Sequence, residues 1–252
     1  MQTRHIPTIN GRYWAGIALA SVFGTNMGDL YAHDSGLGLL GGLPVLAVLF
    51  LAIYAVEHWD KRSHDAYYWL CIIIMRTGAT NIADYMAGRR GLHIDRVTLS
   101  IGLGLLLVLF AWWLGRAGRR GDSAVAGKTV PTTDPGYWVT MLTAGVFGTV
   151  LGDLCQRLFG ENIATAGLTL VLVVALAAYR KSFFGFGALA SYWLTIAVAR
   201  TTGTAIGDWL AESPIVNWGL PLATMITGAA LAAVLILWRG GRPQAALAET
   251  PA

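Results

Sequence analysis

Four aspartates, Asp29, Asp84, Asp153 and Asp208, lie in otherwise apolar stretches, and each follows a threonine by four residues. The segments read Gly24-Thr25-Asn26-Met27-Gly28-Asp29, Ala79-Thr80-Asn81-Ile82-Ala83-Asp84, Gly148-Thr149-Val150-Leu151-Gly152-Asp153 and Gly203-Thr204-Ala205-Ile206-Gly207-Asp208. A four-residue step places each hydroxyl and its carboxylate on one face of a helix. Carboxylate and hydroxyl oxygens are what hard divalent cations take as ligands. The pattern therefore predicts metal binding at Asp29, Asp84, Asp153 and Asp208, with amide oxygens added by Asn26 and Asn81. Val150 and Ala205 hold the latter positions in the second half, so the predicted site is asymmetric. Thr25, Thr80, Thr149 and Thr204 line the same site, joined by Arg76 and Arg200, which stand eight residues before Asp84 and Asp208. Four ionised Asp and two Arg sum to −2, the charge that one divalent ion balances.

The repeated motif holds no Cys or His, and Met appears in one copy only. That disfavours copper and zinc and leaves manganese as the first candidate. Metal must displace protons from carboxylates, so a proton-for-cation exchange is expected. The competing structural reading gives the glycines to helix packing and the aspartates to capping or to pairing with Arg. It accounts for the small residues, because such stripes let backbones approach closely. It accounts poorly for four aspartates at one depth, since an Asp near a helix C-terminus opposes the macrodipole, and a carboxylate in hydrocarbon is costly to keep.

The elements that position these residues form an internal repeat. Tyr13-Trp14, Tyr68-Trp69, Tyr137-Trp138 and Tyr192-Trp193 each precede a motif aspartate, with fifteen residues from Trp to Asp in every copy. Only 13% of the 252 residues are charged, 55% are hydrophobic, and the mean hydropathy is +0.56. A water-soluble domain is about a quarter charged, so the chain reads as an all-α membrane protein. About eight helices of roughly 20 residues fit its length. The spans expected are 12–31, 37–56, 67–86, 97–115, 137–156, 163–179, 189–210 and 216–238, leaving no room for a soluble catalytic domain. The first span carries the motif itself and is not a removable signal peptide.

Residues 1–116 form an N-terminal four-helix repeat and 137–240 a C-terminal one. A cytoplasmic linker, 117–136, joins them, and a disordered tail is expected over 241–252. Each half holds two copies of a smaller unit, a motif helix followed by a plain helix. Because every unit has an even number of spans, the repeats are parallel, related by an axis along the membrane normal. Twelve Lys and Arg fall on the side of the termini against four on the other, which places both termini in the cytoplasm. With Trp at the cytoplasmic interface, Arg76 and Arg200 come about 10 Å in, the threonines about 16 Å and the aspartates about 22 Å into a core about 30 Å thick.

Cys71 and Cys155 read as small buried residues rather than a disulfide. Glu57-His58-Trp59-Asp60 with His64-Asp65 reads as a solvated cytoplasmic loop, although its residue types could ligate metal. His33-Asp34 extends the first motif outward by one turn, and Tyr85 and Trp209 read as interfacial anchors. No basic stripe with interleaved aromatics suits a nucleic acid. Oligomeric state is open.

The repeated Gly-Thr-x-x-Gly-Asp segments, with Arg-Thr before two of them, resemble a largely uncharacterised family of bacterial multi-span "membrane-anchored" proteins. That resemblance implies a multi-pass protein of the bacterial inner (plasma) membrane. A looser likeness is to small cation/proton exchangers with a duplicated Glu-x-Gly-Asp motif. Here Gly28-Asp29, Gly152-Asp153 and Gly207-Asp208 match the Gly-Asp step, while the preceding Glu is missing. The function expected is a divalent-cation transporter, an exporter by first choice, with lipid, ion and protons as its partners and no prosthetic group. The alternatives are a membrane enzyme acting on lipid, against which no Ser-His-Asp or His-Glu-x-x-His arrangement occurs, and a structural membrane protein. The chain is expected not to be an enzyme.

Overall fold

The computed structural model describes residues 6–60, 64–88, 91–118, 124–125, 128–129, 133–181 and 188–238. Within them run eight helices: α1 (Gly11–Asp34), α2 (Gly38–Trp59), α3 (Asp65–Ala87), α4 (Arg96–Gly118), α5 (Pro135–Phe159), α6 (Glu161–Lys181), α7 (Ala188–Glu212) and α8 (Gly219–Leu237). Each expected span falls on one of these, and the motif helices run on past their aspartates. The all-helical expectation holds, with one small addition in the linker. Inside the linker, β1 (Ala124–Val125) and β2 (Lys128–Thr129) pair antiparallel as a short hairpin. The tail 241–252 lies outside the described residues, as do Lys61 and Arg62 of the cytoplasmic loop.

Capping fixes where the motif helices begin. The Asn10 side chain accepts from the Tyr13 backbone N–H at 3.1 Å, and Asp134 accepts from Tyr137 N–H at 2.7 Å, with Pro135 in the first turn. Such caps satisfy donors that a helix start leaves free. Gly160 (φ +80°) ends α5 and lets α6 begin at the next residue, a backbone conformation that costs glycine little.

The four motif helices form a ring, in which α1 packs on α3, α3 on α5, α5 on α7, and α7 back on α1. The plain helices lie outside, and each packs mainly against the motif helix of the following unit: α2 on α3, α4 on α5, α6 on α7, α8 on α1. The unit contiguous in sequence is therefore not the unit contiguous in space. The handover interlocks successive copies, and α8 closes the ring onto α1.

Among the described residues, five helices are long and apolar enough to cross a membrane: α2, α4, α5, α6 and α8. The outer four leave much of their apolar surface exposed, as at Val48, Leu105, Val108, Leu170 and Met225. Mostly apolar, they suit hydrocarbon on one side and protein on the other. The inner helices α1, α3 and α7 fall short of the same apolarity because beside the motif they carry Asn26, Arg76 with Asn81, and Arg200 with Thr202, all of them buried.

Small residues set the spacing within the ring. A Cβ placed on Gly28 would stand 2.6 Å from Thr80 Cβ, and one on Gly152 would stand 2.9 Å from Thr204 Cβ. The glycine of one motif helix thus receives the threonine of the next, which is the close approach expected of the stripe.

Candidate functional site

Along each motif helix one face advances in four-residue steps, the ridge on which helices pack, and the four helices present their steps to a common axis. At one end are the tyrosines. Their hydroxyls close a ring, Tyr13 to Tyr68 at 2.8 Å, Tyr68 to Tyr137 at 2.7 Å, Tyr137 to Tyr192 at 2.8 Å and Tyr192 to Tyr13 at 2.6 Å. Each Tyr ring also packs tilted against the Trp of the neighbouring copy, with centroids 5.4–5.9 Å apart (Tyr13 on Trp69, Tyr68 on Trp138, Tyr137 on Trp193, Tyr192 on Trp14). All eight side chains are buried. The Trp side chains are thus packed inside the bundle and not turned outward from it. They are the floor of the bundle core.

One step along the register come Ile17, Ile72, Met141 and Ile196, all fully buried. The next step holds Ser21, Arg76, Gly145 and Arg200, followed by the four threonines and then the four aspartates. The order along the axis is therefore phenol, hydrocarbon, guanidinium, hydroxyl, carboxylate.

At the far end the axis opens into a cavity of about 350 Å³. Its walls include Thr25, Thr80, Thr149, Thr204, Asp29, Asp84, Asp153 and Asp208. Every predicted threonine and aspartate is thus brought to one cavity. The Arg96 Nε stands 3.4 Å from Asp153 Oδ2 and forms an ion pair whose side chains are 17% and 20% exposed.

Two predicted ligands are placed elsewhere. Asn26 and Asn81 are fully buried, do not line the cavity, and both ends of each amide lack a partner. The Asn26 oxygen is turned into helix–helix contact, where a Cβ on Gly207 would meet it at 3.1 Å. The expected asymmetry of the metal site through these two amides therefore does not follow. Among the described residues, no three His, Cys, Asp or Glu side chains stand close enough to hold a metal ion directly. That holds equally for the Glu57-to-Asp65 cluster, where Tyr67 donates to Asp60 at 2.8 Å.

The arginines divide. Arg200, 0% exposed, reaches across from α7 and bonds the other three ring helices. Its Nη1 donates to Ser21 O (2.8 Å) and Thr25 Oγ1 (3.0 Å), and its Nη2 to Thr80 Oγ1 (2.6 Å), Thr149 Oγ1 (2.8 Å) and Arg76 O (3.4 Å). Its Nε donates to Gly145 O at 3.4 Å. Arg76 is buried too, but its contact is Nη2 to Met141 Sδ at 3.7 Å, and its Nε and Nη1 have no partner.

Several cavity residues were not read from the sequence: Glu161, Gln156, Arg157 and Glu212. A signal for two of them existed. One turn beyond the motif aspartates stand His33, Gly88, Arg157 and Glu212. His33, Arg157 and Glu212 line the mouth, so the outward extension proposed for His33 alone belongs to three copies. Arg96 gave no such signal, because it starts a plain helix.

A family model described as a repeat of unknown function (DUF347) matches residues 12–63 and 191–240. The two stretches cover α1 with α2 and α7 with α8, so each match is one two-helix unit. No curated protein and no solved structure matches the chain.

Proposed function

We propose that the protein is a secondary transporter of hard divalent cations in exchange for protons, with Mn²⁺ the first substrate to test. The observation that carries the reading is a single cavity into which four helices each deliver a carboxylate and a hydroxyl, open at one end, on an axis filled beyond its other end by Arg200, the Ile17, Ile72, Met141 and Ile196 layer and the tyrosine ring. A site accessible from one side only is what alternating access requires. The looser likeness to cation/proton exchangers points the same way.

The carboxylates do not gather around a bare ion in this conformation. The volume offers the reason to propose a hydrated one. Six waters take about 180 Å³ at about 30 Å³ each, well inside the roughly 350 Å³ available. Hard cations often keep part of their water shell and meet carboxylates through it. Closure of the ring would then exchange water for carboxylate oxygen, and protonation of the aspartates would release the ion.

In this reading all eight helices cross the bacterial inner membrane, α1, α3 and α7 shielded by the outer helices. The termini and the tyrosine ring face the cytoplasm, following the excess of Lys and Arg in the loops on that side. The cation is moved and not chemically converted, so the protein is no enzyme.

The test is Mn²⁺ flux in reconstituted vesicles across a pH series, for the wild type and for Asp29→Asn, Asp84→Asn, Asp153→Asn and Asp208→Asn. Flux should weaken as pH falls on the cation-loading side and should drop at least about tenfold in each variant, a loss of about 1.4 kcal/mol in binding. Wild-type flux in all four variants would refute the reading.

A further inference from the structure

The threonine layer is the floor of the outer cavity, and three of its four hydroxyls already hold a cation from beneath. Six acceptors surround the Arg200 guanidinium: hydroxyls of Thr25, Thr80 and Thr149, and carbonyls of Ser21, Arg76 and Gly145. Thr204 stands beside them, within 3.4 Å of Thr25. A guanidinium has five N–H donors, and here each of its three nitrogens has an acceptor. The ion pairs among the described residues are Arg12–Asp65 and Arg96–Asp153, so the charge of Arg200 is met by neutral oxygens. A buried charge is kept only where its hydrogen bonds are complete, and these oxygens come from all the ring helices except its own.

The arrangement has a second claimant. Arg76 occupies the equivalent step on the opposite ring helix, carries the same group, and is left with Nε and Nη1 unpartnered. Two like charges cannot share one cage. The small residues at the intervening steps, Ser21 and Gly145, leave the space that admits one guanidinium between them, and their carbonyls accept from it.

We propose that the four motif threonines and the carbonyls beneath them form a second, inner cation site, specific for a planar guanidinium-type cation and filled here by the chain's own Arg200. Arg200 thereby acts as a tethered cation that denies the inner half of the axis to an external one. The inference goes beyond the outer-cavity reading and is independent of which ion that cavity carries.

The experiment vacates the cage and offers it free guanidinium. In Arg76→Met/Arg200→Ala, neither chain guanidinium can fill the site. Purified protein in detergent is melted with increasing millimolar guanidinium chloride, with matched sodium chloride and urea as controls. The double variant should gain a saturating rise in melting temperature of roughly 2–4 °C over the wild type. Urea, planar but neutral, should give none. Arg76→Met alone should behave as wild type, since Arg200 stays in place. Adding Thr149→Val to the double variant should remove the gain. Comparison with wild type discounts guanidinium held by the outer carboxylates. If the double variant does not fold in sodium chloride, guanidinium present during solubilisation should restore folded, monodisperse protein. A folded double variant with no guanidinium-specific gain, an equal gain in wild type, or an unfolded one that guanidinium does not restore would overturn the proposal. Cation flux through the outer cavity, read by the Asp→Asn series, would stand or fall separately.

Discussion

The tyrosine ring allows a prediction whose refutation does not depend on any absolute energy. Each hydroxyl in the ring shares two of the four hydrogen bonds, one with each neighbour. Replacing one tyrosine by phenylalanine, for instance Tyr68→Phe, deletes two bonds and leaves the ring open. An adjacent pair such as Tyr13→Phe/Tyr68→Phe deletes three bonds, because the bond between them is counted once. A diagonal pair such as Tyr13→Phe/Tyr137→Phe deletes all four. At about 1 kcal/mol net per hydrogen bond, the costs should be about 2, 3 and 4 kcal/mol. The aromatic packing on Trp69, Trp138, Trp193 and Trp14 is retained, since phenylalanine keeps the ring. The assay is unfolding by SDS in detergent micelles, followed by tryptophan fluorescence, with all four singles and both kinds of pair. The order single, adjacent, diagonal is the content. A diagonal pair no costlier than an adjacent one would refute the closed ring, whatever the size of each effect.

Other outcomes follow from the same geometry. Gly152→Ala should destabilise by about 1–3 kcal/mol through overpacking, because its Cβ would meet Thr204 Cβ at 2.9 Å and Thr201 O at 3.0 Å. Gly167→Ala, which meets nothing within 4 Å, should instead be neutral or stabilise by up to about 1 kcal/mol through helix propensity; chemical unfolding of both variants checks the contrast. Arg96→Gln should free the Asp153 carboxylate and tighten divalent-cation binding about tenfold, about 1.4 kcal/mol, measured by calorimetry. Asp95 caps α4 by accepting from Thr98 N–H at 3.0 Å, which holds its carboxyl below the usual carboxylate range. A depressed carboxyl stabilises above its unfolded pKa and loses that contribution as pH falls through the folded one. The melting temperature of Asp95→Ala should therefore converge with wild type only at strongly acid pH, and a constant gap down to that range would refute the capping role.

Much of this arrangement was legible because the constraint is periodic. A fixed separation of Tyr-Trp from Asp in four copies places four phenols at one level and four carboxylates at another whenever the helices run parallel. The cavity and its threonines follow from that alone. What pairs with what across the axis does not follow. A lone sequence cannot show that four tyrosines at one depth face each other rather than lipid, because tyrosine and tryptophan suit both a membrane interface and a core. The outer helices hide their partners for another reason. α2, α4, α6 and α8 are mostly apolar, and the few hydroxyls on them, such as Thr165 of α6, which donates to Ala205 O of α7, do not by themselves mark which neighbour they cover. Asn26 and Asn81 misled because their residue type suits a ligand, while their position, one residue past the threonine, turns them about 100° away from the axis.

The two-fold character inside the four-fold ring then has a physical source. Tyr, Thr and Asp repeat without exception, since a phenol ring, a hydroxyl ring and a ring of carboxylates each tolerate four equal members around an axis, the last with protons or cations to share. A guanidinium layer does not. It alternates as Ser21, Arg76, Gly145 and Arg200, and four arginines there would concentrate four positive charges in a space where one already bonds three helices. Even two are one more than the oxygens satisfy, as the unpartnered nitrogens of Arg76 indicate. The layer that breaks the four-fold repeat is thus the one whose chemistry cannot be shared. It lies between a hydrocarbon layer that closes the axis and the carboxylates that open it.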